Sequence, residues 1–118
     1  MSKNEKDGVV SIWVGLEHQR SDIDLLKDLC GVDFYDLDFQ ECIPALNGKT
    51  NAIGNLVNQL SYNESFGSNA CSSAQAIGIN EVAWVVMQLN FSFDESQTKK
   101  KMSDKVRFLG VFDYNDDD

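Results

Sequence analysis

An uncharged run that mixes apolar, aromatic and β-branched residues begins at Val82, within the stretch Glu81–Asp94. Its first half is apolar at consecutive positions, as in a strand that is covered on both faces, so it predicts a central strand. Gln88, Asn90 and Ser92 then alternate with apolar residues, which predicts that one face turns to water near the end. The alternation assigns its apolar residues to two faces: Val82, Trp84 and Val86 on one, and Ala83, Val85, Met87, Leu89 and Phe91 on the other.

Two further segments have the pattern of strands. Val9–Leu16 is the predicted first strand, and Gly15 near its end indicates a close backbone approach or a bulge. Val106–Tyr114 is the predicted last strand, antiparallel to the central one. We expect the first strand to pair with the last strand or with the central one.

Helical periodicity appears in three places. Ser21 is a candidate N-cap of a first helix that ends at Gly31. A second helix is predicted over Thr50–Tyr62, because Ile53, Leu56, Val57 and Leu60 follow helical spacing.

The third predicted helix runs from Ser68 or Asn69 to Ile77. Phe66 is placed to pack against its first turn as a hydrophobic staple. Gly78 is expected to end it in a Schellman motif, with Ile79 making the apolar contact.

The order of these elements predicts an α+β fold: a small, mainly antiparallel sheet of three to four strands with about three helices packed on one face. Val32–Pro44 has the regular pattern of neither a strand nor a helix, and we expect a short helical turn or an edge strand there.

The length of the chain predicts one domain over residues 1–118. We expect mobile tails at 1–7 and 115–118 and a charged loop over Glu95–Lys105.

Composition and charge limit the classes of function that are compatible with the sequence. Apolar residues make up 42% of the chain, and no apolar run reaches the roughly 20 residues that cross a bilayer. The polar start lacks a signal-peptide core, so we expect a cytoplasmic protein. The net charge of −9 disfavours nucleic acid and anionic membranes as partners and permits a basic protein partner.

The chain has three cysteines, Cys30, Cys42 and Cys71. Their spacing matches neither a disulfide framework nor a zinc site, and we expect small buried side chains with reduced thiols.

Acidic residues concentrate in one segment. Between Ser21 and Glu41 there are seven acids and one base, a net charge of −6. Aromatic residues lie among these acids, and exposed aromatics are common at the centres of protein interfaces. Two interpretations of this segment remain open: its acids are ordinary solvated surface charges, or they form a partner-binding surface. The candidate contact residues are Asp33, Tyr35, Asp36, Asp38, Phe39 and Glu41.

Catalysis and metal binding have weaker support. Asp36 and Asp38 are spaced like cation ligands, but the glycine and the bidentate glutamate of a calcium loop are missing. His18 is the only histidine, and no recognised motif connects it to a nucleophile. We therefore expect no metal and no cofactor. A small enzyme that uses Asp36, Asp38 and His18 is the alternative hypothesis.

Four motifs in order resemble a known family. They are VSIWVG (Val10–Gly15), GVDFYDLDF (Gly31–Phe39) followed by Pro44, AIGINEVAWVV (Ala76–Val86) and FLGVFDY (Phe108–Tyr114). Their order and spacing extend over nearly the whole chain, which resembles the immunity protein 22 family of bacterial polymorphic toxin systems.

The resemblance implies a non-enzymatic antidote that binds a cognate toxin domain in the cytoplasm, often one delivered by a neighbouring cell. An acidic antidote suits a basic toxin such as a nuclease, whose active site must attract phosphate. A monomer in a one-to-one complex is expected, and a self-associating assembly subunit is a third hypothesis.

Overall fold

The computed structural model describes residues 5–18, 24–32, 37–46, 49–94 and 102–114. The strands are β1 (Glu5–Gly15), β2 (Gln40–Pro44), β3 (Asn51–Ala52), β4 (Glu81–Val82), β5 (Trp84–Phe91) and β6 (Val106–Asp113). The helices are α1 (Ile53–Val57) and α2 (Asn63–Ala76), together with a π-helical turn at Leu25–Leu29 and a 3₁₀ turn at Leu37–Phe39. No described helix is long and apolar enough to cross a membrane.

The main sheet has four strands in the order β2-β5-β1-β6, and every pair of neighbours is antiparallel. Strand β1 pairs with both β5 and β6, which confirms the expected partners of the first strand. The predicted antiparallel relation of the last strand to the central one is wrong. Both β5 and β6 are antiparallel to β1, which lies between them, so β5 and β6 run parallel and do not pair. The short strands β3 and β4 form a second sheet.

The structure confirms the α+β class but corrects the position of the helices. Helices α1 and α2 cover one face of the sheet, which we call the helix side. The opposite face carries Trp13 and Val86, and the π-helical turn packs there through Leu26. Helical segments therefore lie on both faces, because β1 and β5 are apolar on both faces. The helix-side core includes Val10, Ile12, Val14, Val85, Met87, Leu56, Phe66 and Ala70.

Strand β5 is central as predicted, but its alternation is interrupted twice. Ala83 separates β4 from β5, so Val82 lies on the helix side and Trp84 lies on the opposite side. Asn90 has a positive φ of 56°, and Phe91 consequently joins the same opposite-side core as Trp84. Gln88 does not face water, since it is only 1% exposed.

Gly15 confirms the predicted close approach. The indole of Trp84 lies over it, and a Cβ atom at Gly15 would be only 1.9 Å from the Trp84 ring. The indole Nε1 donates a hydrogen bond to the Glu17 carbonyl oxygen, which fixes the ring in that position. Trp13 and Trp84 are both buried, as expected of core residues.

The helix boundaries depart from the prediction in three places. The first helical turn begins after Asp24, which is its N-cap and whose carboxylate accepts the Lys27 N–H, while the predicted cap Ser21 lies outside the described residues. Helix α1 is shorter than Thr50–Tyr62, although the apolar stripe of that segment is buried as predicted. Helix α2 begins at Asn63, so Phe66 is a buried helical residue and not a staple before the helix.

The end of α2 confirms the predicted Schellman motif. Gly78 has a positive φ of 79°, and its N–H donates to the Gln75 carbonyl. The Ile79 N–H donates to the Ala74 carbonyl, and the Ile79 side chain packs on the helix-side core.

Two predicted segments lie partly outside the described residues. In Val32–Pro44, the structure shows both a 3₁₀ turn and the edge strand β2, while residues 33–36 lie outside. Strand β1 begins at Glu5, so it includes residues that were predicted as part of a tail. Residues 1–4, 95–101 and 115–118 are outside the described ranges.

Candidate functional site

The structure describes three of the six predicted contact residues. Asp38 and Phe39 belong to the 3₁₀ turn before β2, and Glu41 is the second residue of β2. Asp33, Tyr35 and Asp36 lie outside the described residues.

Phe39 lies at the beginning of the edge strand and is 43% exposed. Asp38, next to it, is also exposed. In the sheet register Gln40 is opposite Gln88, so this turn is at the end of the sheet where β5 approaches Asn90. An exposed ring beside an exposed carboxylate can contact an apolar or cationic group of a partner.

Glu41 has a different environment, because it points to the helix side and is half-buried. Its carboxylate accepts two hydrogen bonds from Ser61, one from the backbone N–H at 3.0 Å and one from the hydroxyl. Ser61 belongs to the connection between α1 and α2. Glu41 therefore joins the edge strand to this connection, a contact between residues 20 positions apart that local sequence patterns do not reveal.

The next residue, Tyr62, was not among the predicted contacts. It is 41% exposed and has a positive φ of 61°, which is uncommon for a residue other than glycine. Its ring packs on that of Tyr114, with 5.2 Å between the ring centroids and 33° between the planes. The hydrogen bonds between Glu41 and Ser61 thus place an exposed tyrosine next to the predicted acidic segment.

Tyr114 is also part of an open pocket of about 310 Å³, lined by Asp7, Gly8, Asn90 and Tyr114. We call it the Asn90 pocket. The Asn90 side-chain oxygen accepts the Tyr114 hydroxyl at 2.7 Å and the Gly8 N–H at 3.1 Å. These bonds connect the beginning of β1 with the ends of β5 and β6. No motif in the sequence indicates this pocket, because its residues come from three distant segments.

The two described residues of the alternative enzyme hypothesis, His18 and Asp38, do not lie together. Pro44 is opposite Trp84, and Trp84 is opposite Gly15, so β2 and β1 end at the same end of the sheet. His18 follows that end of β1, and its ring Nε2 lies 2.6 Å from the Lys49 carbonyl oxygen, to which it donates. Asp38 precedes β2 and is separated from His18 by the length of that strand. Asp36, the third residue of that hypothesis, is outside the described residues.

The cysteines differ in their environments. Cys30 is buried, and the loss of solvation raises the pKa of its thiol far above the ordinary value, with a smaller contribution from nearby Cys42. Cys71 is half-buried. Cys42 is exposed on the edge strand, so the prediction of a buried side chain is wrong there. In the described ranges, no group of three or more His, Cys, Asp or Glu residues is arranged to hold a metal ion.

The chain matches the family described as Immunity protein 22 over residues 20–115. It belongs to the Immunity protein 22 family. This confirms the resemblance inferred from the sequence motifs. Membership in the Immunity protein 22 family supports an antitoxin role and favours a non-enzymatic one. The matched range contains the acidic segment, Tyr62, Asn90 and Tyr114. No curated protein and no solved structure matches the chain significantly.

Proposed function

We propose that the protein binds a basic cognate toxin domain, such as a nuclease, and blocks its active site in a one-to-one complex. The observation that carries this proposal is the match to the Immunity protein 22 family over residues 20–115. The net charge of −9 adds the preference for a basic partner. The single chain of 118 residues would act as one domain in the cytoplasm, where a delivered toxin meets its substrates.

The distribution of charge supports one end of the molecule as the binding surface. Among the described residues, the end of the sheet where β1 begins carries the acids Asp7, Asp38 and Glu41 together with the base Lys6. The opposite end carries both signs, and Lys105 forms a 3.2 Å ion pair there with Glu17. Acids outnumber the base at the first end, so a basic toxin would meet net negative charge there.

The candidate contacts divide into two roles. Asp38 and Phe39 are exposed and suited to direct contact, and we propose the same role for Asp33, Tyr35 and Asp36. Glu41 is held by Ser61, so its contribution would combine negative charge with support of the surface. A nuclease site attracts phosphate oxygens through cationic side chains, and carboxylates placed against those cations would exclude nucleic acid.

The proposal is tested with the toxin domain encoded by the adjacent upstream gene. The two proteins are purified separately and mixed, and the molar mass and the toxin's activity are measured. We expect a one-to-one complex, loss of toxin activity and no catalytic activity of the immunity protein alone. Failure to form a complex, or a stable homo-oligomer that leaves the toxin active, would contradict the proposal.

A further inference from the structure

We propose that the Asn90 pocket, together with Tyr62, receives one lysine or arginine side chain of the toxin. The inference rests on the proposed function and adds a specific subsite to it. The subsite comprises Asp7, Gly8, Tyr62, Asn90 and Tyr114, and none of these residues belongs to the acidic segment singled out in the sequence.

The chemistry of the pocket favours a cation. Asp7 is an exposed carboxylate, and within the described part of the chain no hydrogen bond or ion pair involves it. The described residues that line the pocket include no basic side chain. The Tyr114 hydroxyl donates a hydrogen bond to Asn90, which holds the tyrosine ring at the pocket. The Asp7 carboxylate is a suitable partner for the N–H groups of lysine or arginine.

The two tyrosine rings add a second attraction for a cation. Tyr62 and Tyr114 pack together, and Tyr62 remains 41% exposed. The face of a tyrosine ring carries negative electrostatic potential and attracts an ammonium or guanidinium group within about 6 Å. A basic side chain that enters the pocket would thus lie near both a carboxylate and an aromatic surface.

The size of the pocket fits a single side chain. Its volume of about 310 Å³ is at the lower limit of small-molecule sites, which measure roughly 300–1,000 Å³, and four of the described residues line it. It is also open to solvent on one side. A side chain presented by a protein surface fits such a shallow site better than a ligand that must be enclosed.

The backbone holds these groups in a fixed arrangement. Among the described residues, Tyr62 and Asn90 are the only non-glycine residues with positive φ, and both border this site. Such conformations persist where the surrounding structure determines them. Here the bonds to Asn90 and the contact between the tyrosine rings provide that support, which lowers the ordering cost of binding.

The subsite is continuous with the proposed contact surface. Glu41 on β2 holds Ser61, and Ser61 precedes Tyr62. A toxin that contacts Asp38 and Phe39 in the 3₁₀ turn before the edge strand can reach Tyr62 without crossing the helices. The partner would therefore present several basic residues along one face.

The test compares the dissociation constants of complexes with the upstream toxin domain. We expect Asp7→Asn and Tyr62→Ala each to weaken binding by about tenfold. Tyr62→Phe should retain most of the affinity, because it keeps the ring. Asp104→Asn is the matched control: it removes the same charge from an exposed position at the opposite end of the sheet and should change binding by less than about twofold.

The responsible cation is identified on the toxin by replacing each exposed lysine and arginine with glutamine. One of these toxin replacements should weaken binding to the wild-type immunity protein. The same replacement should have little further effect on binding to the Asp7→Asn variant, because that variant already lacks the partner carboxylate. Normal binding by Asp7→Asn and Tyr62→Ala, with the wild type forming its complex, would overturn the inference and leave the proposed function intact. If the wild type itself does not bind the toxin domain, the proposed function fails and the inference fails with it. Thermal unfolding of each variant separates lost binding from lost folding.

Discussion

At the scale of single residues, Gly15 is a position where only a hydrogen atom fits. The Trp84 ring lies where a Cβ atom would be, and hydrogen bonding of the indole to Glu17 opposes its displacement. We expect Gly15→Ala to lower the free energy of unfolding by about 1–3 kcal/mol, measured by urea titration. Gly54→Ala is the control. No atom lies within 4 Å of the added group in α1, so this change should stabilise by roughly 0.5–1 kcal/mol. Equal stability of Gly15→Ala and the wild type would contradict the packing described for Trp84.

Cys30 should make the stability of the folded protein decrease at alkaline pH. Burial disfavours the thiolate, so the pKa of the folded thiol lies above the ordinary value of 9.0. A group whose pKa is raised on folding contributes stability that is complete below its unfolded pKa and is lost as pH rises toward its folded pKa.

The free energy of unfolding should therefore fall above about pH 9, by up to about 1.4 kcal/mol per pH unit from this thiol. Cys30→Ala should be less stable at neutral pH, because it leaves a small cavity, but should lose less stability as pH rises. The comparison uses urea unfolding at a series of pH values. Parallel pH profiles for the two proteins would show that Cys30 is not the group responsible.

At the scale of elements, the contact between β2 and the α1–α2 connection depends on Glu41. Removing the Ser61 hydroxyl in Ser61→Ala, or the carboxylate charge in Glu41→Gln, should each cost about 1–2 kcal/mol of unfolding free energy. Because the two residues form one interaction, the double variant should cost less than the sum of the single variants. Asp104→Asn, at an exposed acid far from this contact, should remain within about 0.5 kcal/mol of the wild type. Additive effects would mean that Glu41 and Ser61 act independently.

The helices show what the sequence can and cannot predict about elements. The stripe of Ile53, Leu56, Val57 and Leu60 predicted a buried face correctly, because large apolar residues at helical spacing have few other arrangements. It did not predict where α1 ends. Helix α2 buries Ala70 and Ala74, whose small side chains give little periodic signal, and its start was placed too late.

The strands show the same limit. The apolar run of β5 identified a central strand. The change of face at Asn90 was not predictable, because asparagine can adopt a left-handed backbone conformation but the sequence does not show which asparagine does so. Contacts between distant segments were also not predictable. The Glu41–Ser61 bonds and the Asn90 pocket join residues that become neighbours only after the sheet and helices pack.

At the scale of the whole molecule, the proposed mode of binding requires that the two ends of the sheet differ in charge. Asp38 lies at the proposed binding end and Asp104 at the opposite end, and both are exposed. Reversal of Asp38 to Lys should slow association with the toxin domain, whereas Asp104→Lys should have a smaller effect, because charges beyond about 10 Å are screened at 0.1 M salt. Stopped-flow association measurements compare the two variants. A larger effect of Asp104→Lys would move the proposed interface to the opposite end.

Recognition of a basic toxin domain through charge is tested most directly by the association rate of the wild-type pair as a function of salt concentration. If charge guides recognition, this rate should fall steeply as ionic strength rises, because the Debye length decreases from about 10 Å at 0.1 M to about 3 Å at 1 M. Dissociation should change less over the same range. An association rate that does not depend on salt would contradict recognition through charge.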